Sequence, residues 1–210
     1  MITQSIVYVV DDDASVRKSL ERLIKTEGLA VKAFASAREF LVGDRPDNPA
    51  CLLLDIEMPE ITGLELQEQL TALHQSLPII FITGFGNVPK SVQAMKAGAF
   101  DFLEKPFEAA TLIDAIHRAV NHDIQARKRN RELAATQQRM ASLTNREREV
   151  FELVVTGMLN KQIAFQLGIT EKTIKVHRAR IMQKMGAQSL AELVRLAERL
   201  NNPSHLSLLA

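Results

Sequence analysis

Between Ile6 and Val120 the chain alternates five times between a short apolar run and a longer stretch with apolar residues at helical spacing. The runs are Ile6–Val10, Leu29–Phe34, Cys51–Leu54, Ile79–Thr83 and Phe100–Leu103. The stretches place their apolar side chains on one face, as with Val16, Leu20, Leu23 and Ile24 after the first run and Leu112, Ile113, Ile116 and Val120 after the last. Parallel neighbours need crossover helices, so this rhythm predicts an α/β fold: a doubly wound five-stranded parallel sheet. Such a sheet opens its functional crevice beyond the carboxyl ends of the strands, where strand order reverses.

The polar residues gather at those same ends. The first run stops in "VVDDD" with Asp11, Asp12 and Asp13, the third in "LLLDIEMP" with Asp55, the fourth in "IIFITG" with Thr83, and the fifth is followed by "EKPF" with Lys105. Taken singly, an acid at a strand end is a solvated turn residue and a lysine before proline is surface. Their coincidence at four strand ends argues for a site. Adjacent carboxylates repel and raise one another's pKa unless a cation sits among them. Oxygen-only donors suit Mg2+ better than Zn2+, which wants His or Cys. Asp55 is then a plausible nucleophile toward phosphorus, with Mg2+ and Lys105 neutralising the oxygens and Thr83 hydrogen-bonding one of them. No Gly-rich nucleotide cradle is present, so ATP is not the expected direct donor.

The quartet "VVDDD", "LLLDIEMP", "ITG" and "EKPF", in this order and spacing, resembles the flavodoxin-like receiver domain of two-component response regulators over roughly residues 5–121. The resemblance implies that Asp55 is the phosphoacceptor and that Asp12, Asp55 and the main-chain carbonyl of Glu57 ligate Mg2+, with Asp11 holding the metal through water. It also implies that Thr83 senses the phosphoryl group, that Lys105 is the conserved-role lysine, and that Phe102 is the switch aromatic following Thr83 inward. Asp13 has no ligand role by this match and is expected where the first helix begins. Glu57 and Phe85, two residues beyond Asp55 and Thr83, are placed to alter how water reaches an acyl phosphate.

Charge separates the two halves. Residues 1–121 carry eleven Lys and Arg against seventeen Asp and Glu, and residues 122–210 carry fifteen against eight. An acidic half followed by a basic one suggests that only the second meets a polyanion. The segment 122–140 is polar, free of Gly and Pro and rich in helix formers, so it is expected as a helical linker. Beyond it, Thr144 and Glu147 form an S/T-x-x-E capping box, Gly157 stops that helix, Lys161–Leu167 is a short helix closed by Gly168, and Thr170 caps a further helix to about Met185. Two helices joined by a Gly-containing turn outline a helix-turn-helix. Lys172, Lys175, Arg178 and Arg180 lie off the spacing of Ile174, Ile181 and Met185, giving the second helix a basic face.

From "LTNREREV" through "NKQIAFQLGIT" to "TIKVHRARIMQKM", residues 141–200 resemble the LuxR-type DNA-binding domain. The resemblance implies that Lys175, Val176 and the position of Ala179 face bases, that Lys172, Thr173 and Arg180 contact phosphates, and that the last helix, Leu190–Leu200, supplies dimer contacts. Residues 201–210 are expected as a frayed tail. The two halves together resemble the FixJ-type response regulators.

The implied function is a phosphorylation-controlled transcription regulator and not an enzyme, apart from accepting and losing its own phosphoryl group. Its expected partners are a sensor histidine kinase, double-stranded promoter DNA, RNA polymerase and a second copy of itself. Two other readings stay open from the residues alone: a Mg2+-dependent phosphatase with an aspartyl nucleophile, and a DNA-binding regulator that never takes phosphate. The single cysteine, Cys51, lies in an apolar strand and permits no internal disulfide. No basic leader and no run of about 18 apolar residues is present, so the protein is expected in the cytoplasm.

Overall fold

The computed structural model describes residues 5–73, 75–84 and 88–201, with no account of the side chains of Val88 and Pro89. Phe85 and the tail beyond Asn201 therefore lie outside the described residues. The chain divides between Arg127 and Lys128 into two compact units.

In the first unit, β1 (Ile6–Val10), β2 (Ala30–Phe34), β3 (Ala50–Asp55), β4 (Ile79–Thr83) and β5 (Asp101–Glu104) alternate with α1 (Ala14–Thr26), α2 (Ala37–Val42), α3 (Gly63–Ala72), α4 (Val88–Lys96) and α5 (Ala109–Ala141). All neighbouring strands pair in parallel, in the order β2-β1-β3-β4-β5. Strand order reverses between β1 and β3, which share the register Ile6 to Ala50 through Val10 to Leu54. Asp11 and Asp55 stand at the carboxyl ends of those two strands, at the expected crevice.

Successive strand residues point to opposite faces, and the core is split accordingly. Tyr8, Val10, Leu52, Leu54 and Phe81 join Phe40 of α2 and Leu66 and Leu70 of α3 on one face. Val7, Val9, Cys51, Leu53, Ile80 and Ile82 join Leu20 and Ile24 of α1 and Leu112 and Ile116 of α5 on the other. Burial, with Asp123 nearby, pushes the Cys51 thiol up to about 12, so it stays protonated and packs as a small apolar group.

Sequence and structure differ at several element edges, by a residue or so at β2, β3 and β5 and by more at the linker. The fifth strand begins at Asp101 rather than Phe100 and takes in Glu104, because backbone pairing with β4 tolerates charged residues that an apolar count leaves out. The helix after β5 runs without a break to Ala141, in keeping with a helical linker that continues the preceding helix. Residues 122–127, expected as linker, pack with the first unit: Asp123 is buried, and its Oδ2 accepts from the Ala50 N–H at 2.8 Å and from Arg127 Nε at 2.7 Å. Arg127 also pairs with Asp47.

The second unit holds the end of α5 together with α6 (Asn145–Val155), α7 (Asn160–Leu167), α8 (Glu171–Met185) and α9 (Leu190–Asn201). The Thr144–Glu147 capping box forms, with Glu147 N–H on Thr144 Oγ1 at 3.3 Å and Thr144 N–H on Glu147 Oε2 at 2.9 Å. Gly168 closes α7 with φ of 65°, a left-handed conformation costly for residues with a Cβ. Val150, Phe151, Ile163, Ile174, Ile181, Met185 and Leu193 make the core, so α6, α7, α8 and α9 all contribute.

Candidate functional site

The three aspartates of "VVDDD" divide into three jobs. Asp11 is buried; its Oδ1 accepts from the Asp13 N–H at 2.9 Å and its Oδ2 from Lys105 Nζ at 3.0 Å. Asp12 is exposed and lines a surface groove with Glu57, Met58 and Lys90. Asp13 caps α1, accepting from the backbone N–H groups of Ser15 and Val16, as its place in the sequence predicts. Crowding is thus relieved by splitting the acids between a buried cation, a groove and a helix start.

Asp55 completes the buried arrangement. Its Oδ1 accepts from Lys105 Nζ at 3.0 Å and its Oδ2 from the Glu57 N–H at 2.8 Å. One ammonium therefore bridges two carboxylates from neighbouring strands. Burial lifts the Asp55 pKa above its ordinary value; Lys105 pulls it back in part, Asp11 adds to the rise, and the Glu57 N–H opposes it. For Lys105 burial acts downward, but the hydrogen bonds and charges of Asp11 and Asp55 outweigh it and leave the ammonium above its ordinary value.

Backbone geometry fixes where these groups meet. The Lys105 N–H donates to the Thr83 carbonyl at 2.7 Å, joining the ends of β4 and β5, and the Lys105–Pro106 peptide is cis. Thr83 is buried and Phe102 half-buried against the cluster on the α3 face. Gly63, at the start of α3, passes so close that a Cβ there would lie 2.2 Å from the Asp55 carbonyl oxygen. The Thr62–Glu65 capping box starts α3 at that contact.

Among the described residues no group of three or more His, Cys, Asp and Glu side chains is arranged to hold a metal ion. The expected ligand set asks for fewer side chains, since it includes a main-chain carbonyl and one acid acting through water. Its donors are all oxygen and stand at the ends of β1 and β3, which suits a hard cation that keeps part of its water.

In the second unit, Lys172, Lys175, Val176, Ala179 and Arg180 are all exposed on α8, at three- and four-residue spacings that put them on one outward face. Thr173 is half-buried, its hydroxyl 2.9 Å from that of Thr170 at the helix start. Lys184, also on α8, is engaged elsewhere: it donates to Glu147 Oε2 at 2.6 Å and to the Ser142 carbonyl at 3.1 Å. Lys184, and next the Thr144 N–H, hold Glu147 down at about 2 against the opposing effect of burial.

Sequence reasoning misses three polar contacts here. Lys90 pairs with Glu57 across 33 residues, Asp123 bonds Ala50 across 73, and Lys184 pairs with Glu147 across 37. Lys90, Asp123 and Lys184 each stand on a helix whose local sequence gives no sign of a partner so far along the chain.

Comparison with known proteins accounts for both units. The receiver domain model of response regulators matches residues 7–117, and the model of the LuxR family of bacterial regulatory proteins matches residues 141–197. Nodulation protein W of Bradyrhizobium diazoefficiens is 46% identical over 94% of this chain and 87% of its own. The transcriptional regulatory protein FixJ of Rhizobium meliloti is 44% identical over 93% and 96%. Among solved structures, the response regulator StyR is 47% identical with a TM-score of 0.85, covering 93% of this chain and 99% of its own. Full-length FixJ from B. japonicum is 42% identical with a TM-score of 0.59, covering 95% and 98%. The chain belongs to the response regulators that join a receiver domain to a LuxR-type DNA-binding domain, and it is a phosphorylation-controlled transcription regulator.

Proposed function

We propose that Asp55 accepts the phosphoryl group from a sensor histidine kinase and that α8 reads promoter DNA once the receiver has switched. The observation that carries the first part is the Lys105 bridge, with 3.0 Å contacts to both Asp11 and Asp55. A cation shared by two buried acids holds Asp55 in place at the strand end, and Lys105 stands where the negative charge of a transferred phosphoryl group would develop.

In the transfer an Asp55 carboxylate oxygen bonds to phosphorus as the bond from phosphorus to the kinase histidine nitrogen breaks. Lys105 then pairs with a phosphoryl oxygen in place of the carboxylate oxygen it has lost. Thr83 donates its hydroxyl to another, and Phe102 follows Thr83 into the space behind it, which alters the α4–β5–α5 surface. Receiver domains use Mg2+ for this reaction, and here Asp12, Asp55 and the Glu57 carbonyl would ligate it directly, with Asp11 acting through water; when bound, it neutralises phosphoryl oxygens. The receiver also loses its own phosphoryl group to water, which resets it.

On the DNA side, Lys175, Val176 and Ala179 face base edges in the major groove, while Lys172, Thr173 and Arg180 meet phosphates. Paired copies, joined in part through α9, occupy two half-sites and meet RNA polymerase at the promoter. A regulator that meets promoter DNA works in the cytoplasm, where the DNA is; separately, no described helix is long and apolar enough to cross a membrane. The test compares specific DNA affinity and oligomeric state, with Mg2+ present, before and after acetyl phosphate or beryllofluoride, in wild type and Asp55→Asn. A rise in affinity or dimer fraction confined to wild type is expected. Equal DNA binding in both proteins under every condition would overturn the phosphorylation mechanism.

A further inference from the structure

A second lysine stands at the rim of the same site. Lys90 of α4 donates to Glu57 Oε1 at 2.7 Å, with side chains 43% and 63% exposed. An ion pair this exposed adds little to stability, so its effect lies in where it puts charge. That location is specific. Glu57 follows Asp55 by two residues, its N–H holds Asp55 Oδ2, and Glu57 and Lys90 share with Asp12 a groove of about 390 Å³. Lys90 puts one positive charge into a groove that two carboxylates, Asp12 and Glu57, also line, so its removal makes the groove more negative toward an approaching anionic phosphoryl donor.

We propose that Lys90 is a positioning residue of the phosphoryl-transfer reaction: by pairing with Glu57 it cancels that carboxylate and holds it toward α4, and so sets how readily a dianionic donor reaches Asp55. This rests on the reading of Asp55 as the acceptor. In the transfer from acetyl phosphate, the Asp55 oxygen bonds to phosphorus while the bond from phosphorus to the acetate oxygen breaks. Acetate leaves with the electron pair, and Lys90 takes no part in bond making. Its influence is on the encounter, and encounter electrostatics fall away as salt rises.

The test uses the full chain with Mg2+ and follows the rate of phosphorylation by acetyl phosphate in wild type, Lys90→Met, Glu57→Gln and the double variant. In about 20 mM salt, Lys90→Met is expected to slow the reaction roughly three- to ten-fold, and in about 0.5 M salt by less than about two-fold. On the Glu57→Gln background, Lys90→Met should make no further difference, because the charge it compensates is gone. Lys90→Arg should retain most of the wild-type rate. Phosphoramidate, a donor of lower negative charge, should show a smaller effect. A Lys90→Met rate equal to wild type in low salt, or a slowing that persists unchanged on the Glu57→Gln background, would overturn the role of Lys90. Asp55→Asn must be silent throughout; phosphorylation of that variant would overturn the acceptor reading instead.

Discussion

Both units bury a carboxylate against a lysine, yet the two carboxylates are pushed in opposite directions. Asp55 shares Lys105 with a second acid, Asp11, and burial leaves its pKa above the ordinary value. Glu147 has Lys184 at 2.6 Å and the Thr144 N–H at 2.9 Å, and falls to about 2. The contrast lies first in burial, which dominates at Asp55 and is outweighed at Glu147, and then in how many acids each cation must serve. A divided cation leaves a carboxylate with a raised pKa at the end of a strand, whereas a dedicated one fastens a helix start to a neighbouring helix.

The largest effect expected from breaking this contrast is in the second unit. Glu147→Ala removes the capping-box acid and strands Lys184, and should cost about 1–3 kcal/mol, read as faster amide exchange along α6 and α8. Because the folded-state pKa is depressed, the wild-type contribution is fully present above the unfolded value near 4.5 and is lost as pH falls through about 2.

Lys105→Met should act in the first unit, at about 1–2 kcal/mol, by leaving Asp11 and Asp55 facing each other without a cation. Here acid should relieve the defect, since protonating Asp55, whose pKa is raised, removes the repulsion. A pH titration of unfolding midpoint for the two variants therefore separates the arrangements: destabilisation shrinks toward low pH in both, but for Lys105→Met it shrinks at higher pH, because Asp55 takes up its proton before Glu147 does.

The smallest expected effect has the opposite sign. The raised Asp55 pKa means that the folded state holds its proton more tightly than the unfolded one, so ionised Asp55 costs stability above its folded pKa. Asp55→Asn should raise the unfolding midpoint of the receiver at neutral pH by an amount worth about 1 kcal/mol, with the gain fading as pH falls toward the unfolded value. A lower midpoint at neutral pH would show that Asp55 is a holding group like Glu147.

The receiver sheet was legible because each strand is a short apolar run that ends where its polar residue begins: Ile6–Val10 and Ile79–Thr83 are the same in sequence and structure. Thr144, Gly168 and Thr170 mark the helices of the second unit through local rules that need no tertiary partner. Lys105 and Asp55 could be assigned to one rim, since strand ends converge, although the bridge Lys105 makes between Asp55 and Asp11 depends on three chain segments. Asp123 was hidden for the converse reason. Its neighbours Asn121, His122 and Ile124 are exposed, so the stretch reads as a solvated helix, and the partner that buries Asp123 is a backbone N–H of β3. Contacts between distant polar residues leave no periodicity behind.

Gly63 carries one more consequence. No positive φ is recorded for it, and what excludes a side chain is the 2.2 Å separation its Cβ would have from the Asp55 carbonyl oxygen. In a saturation library scored for signalling output, position 63 should be as intolerant as position 55, with even alanine rejected, although Gly63 performs no chemistry. Mutational sensitivity across this loop would thus chart the room left around the Asp55 backbone, and a map of side-chain roles would have to be drawn from other data.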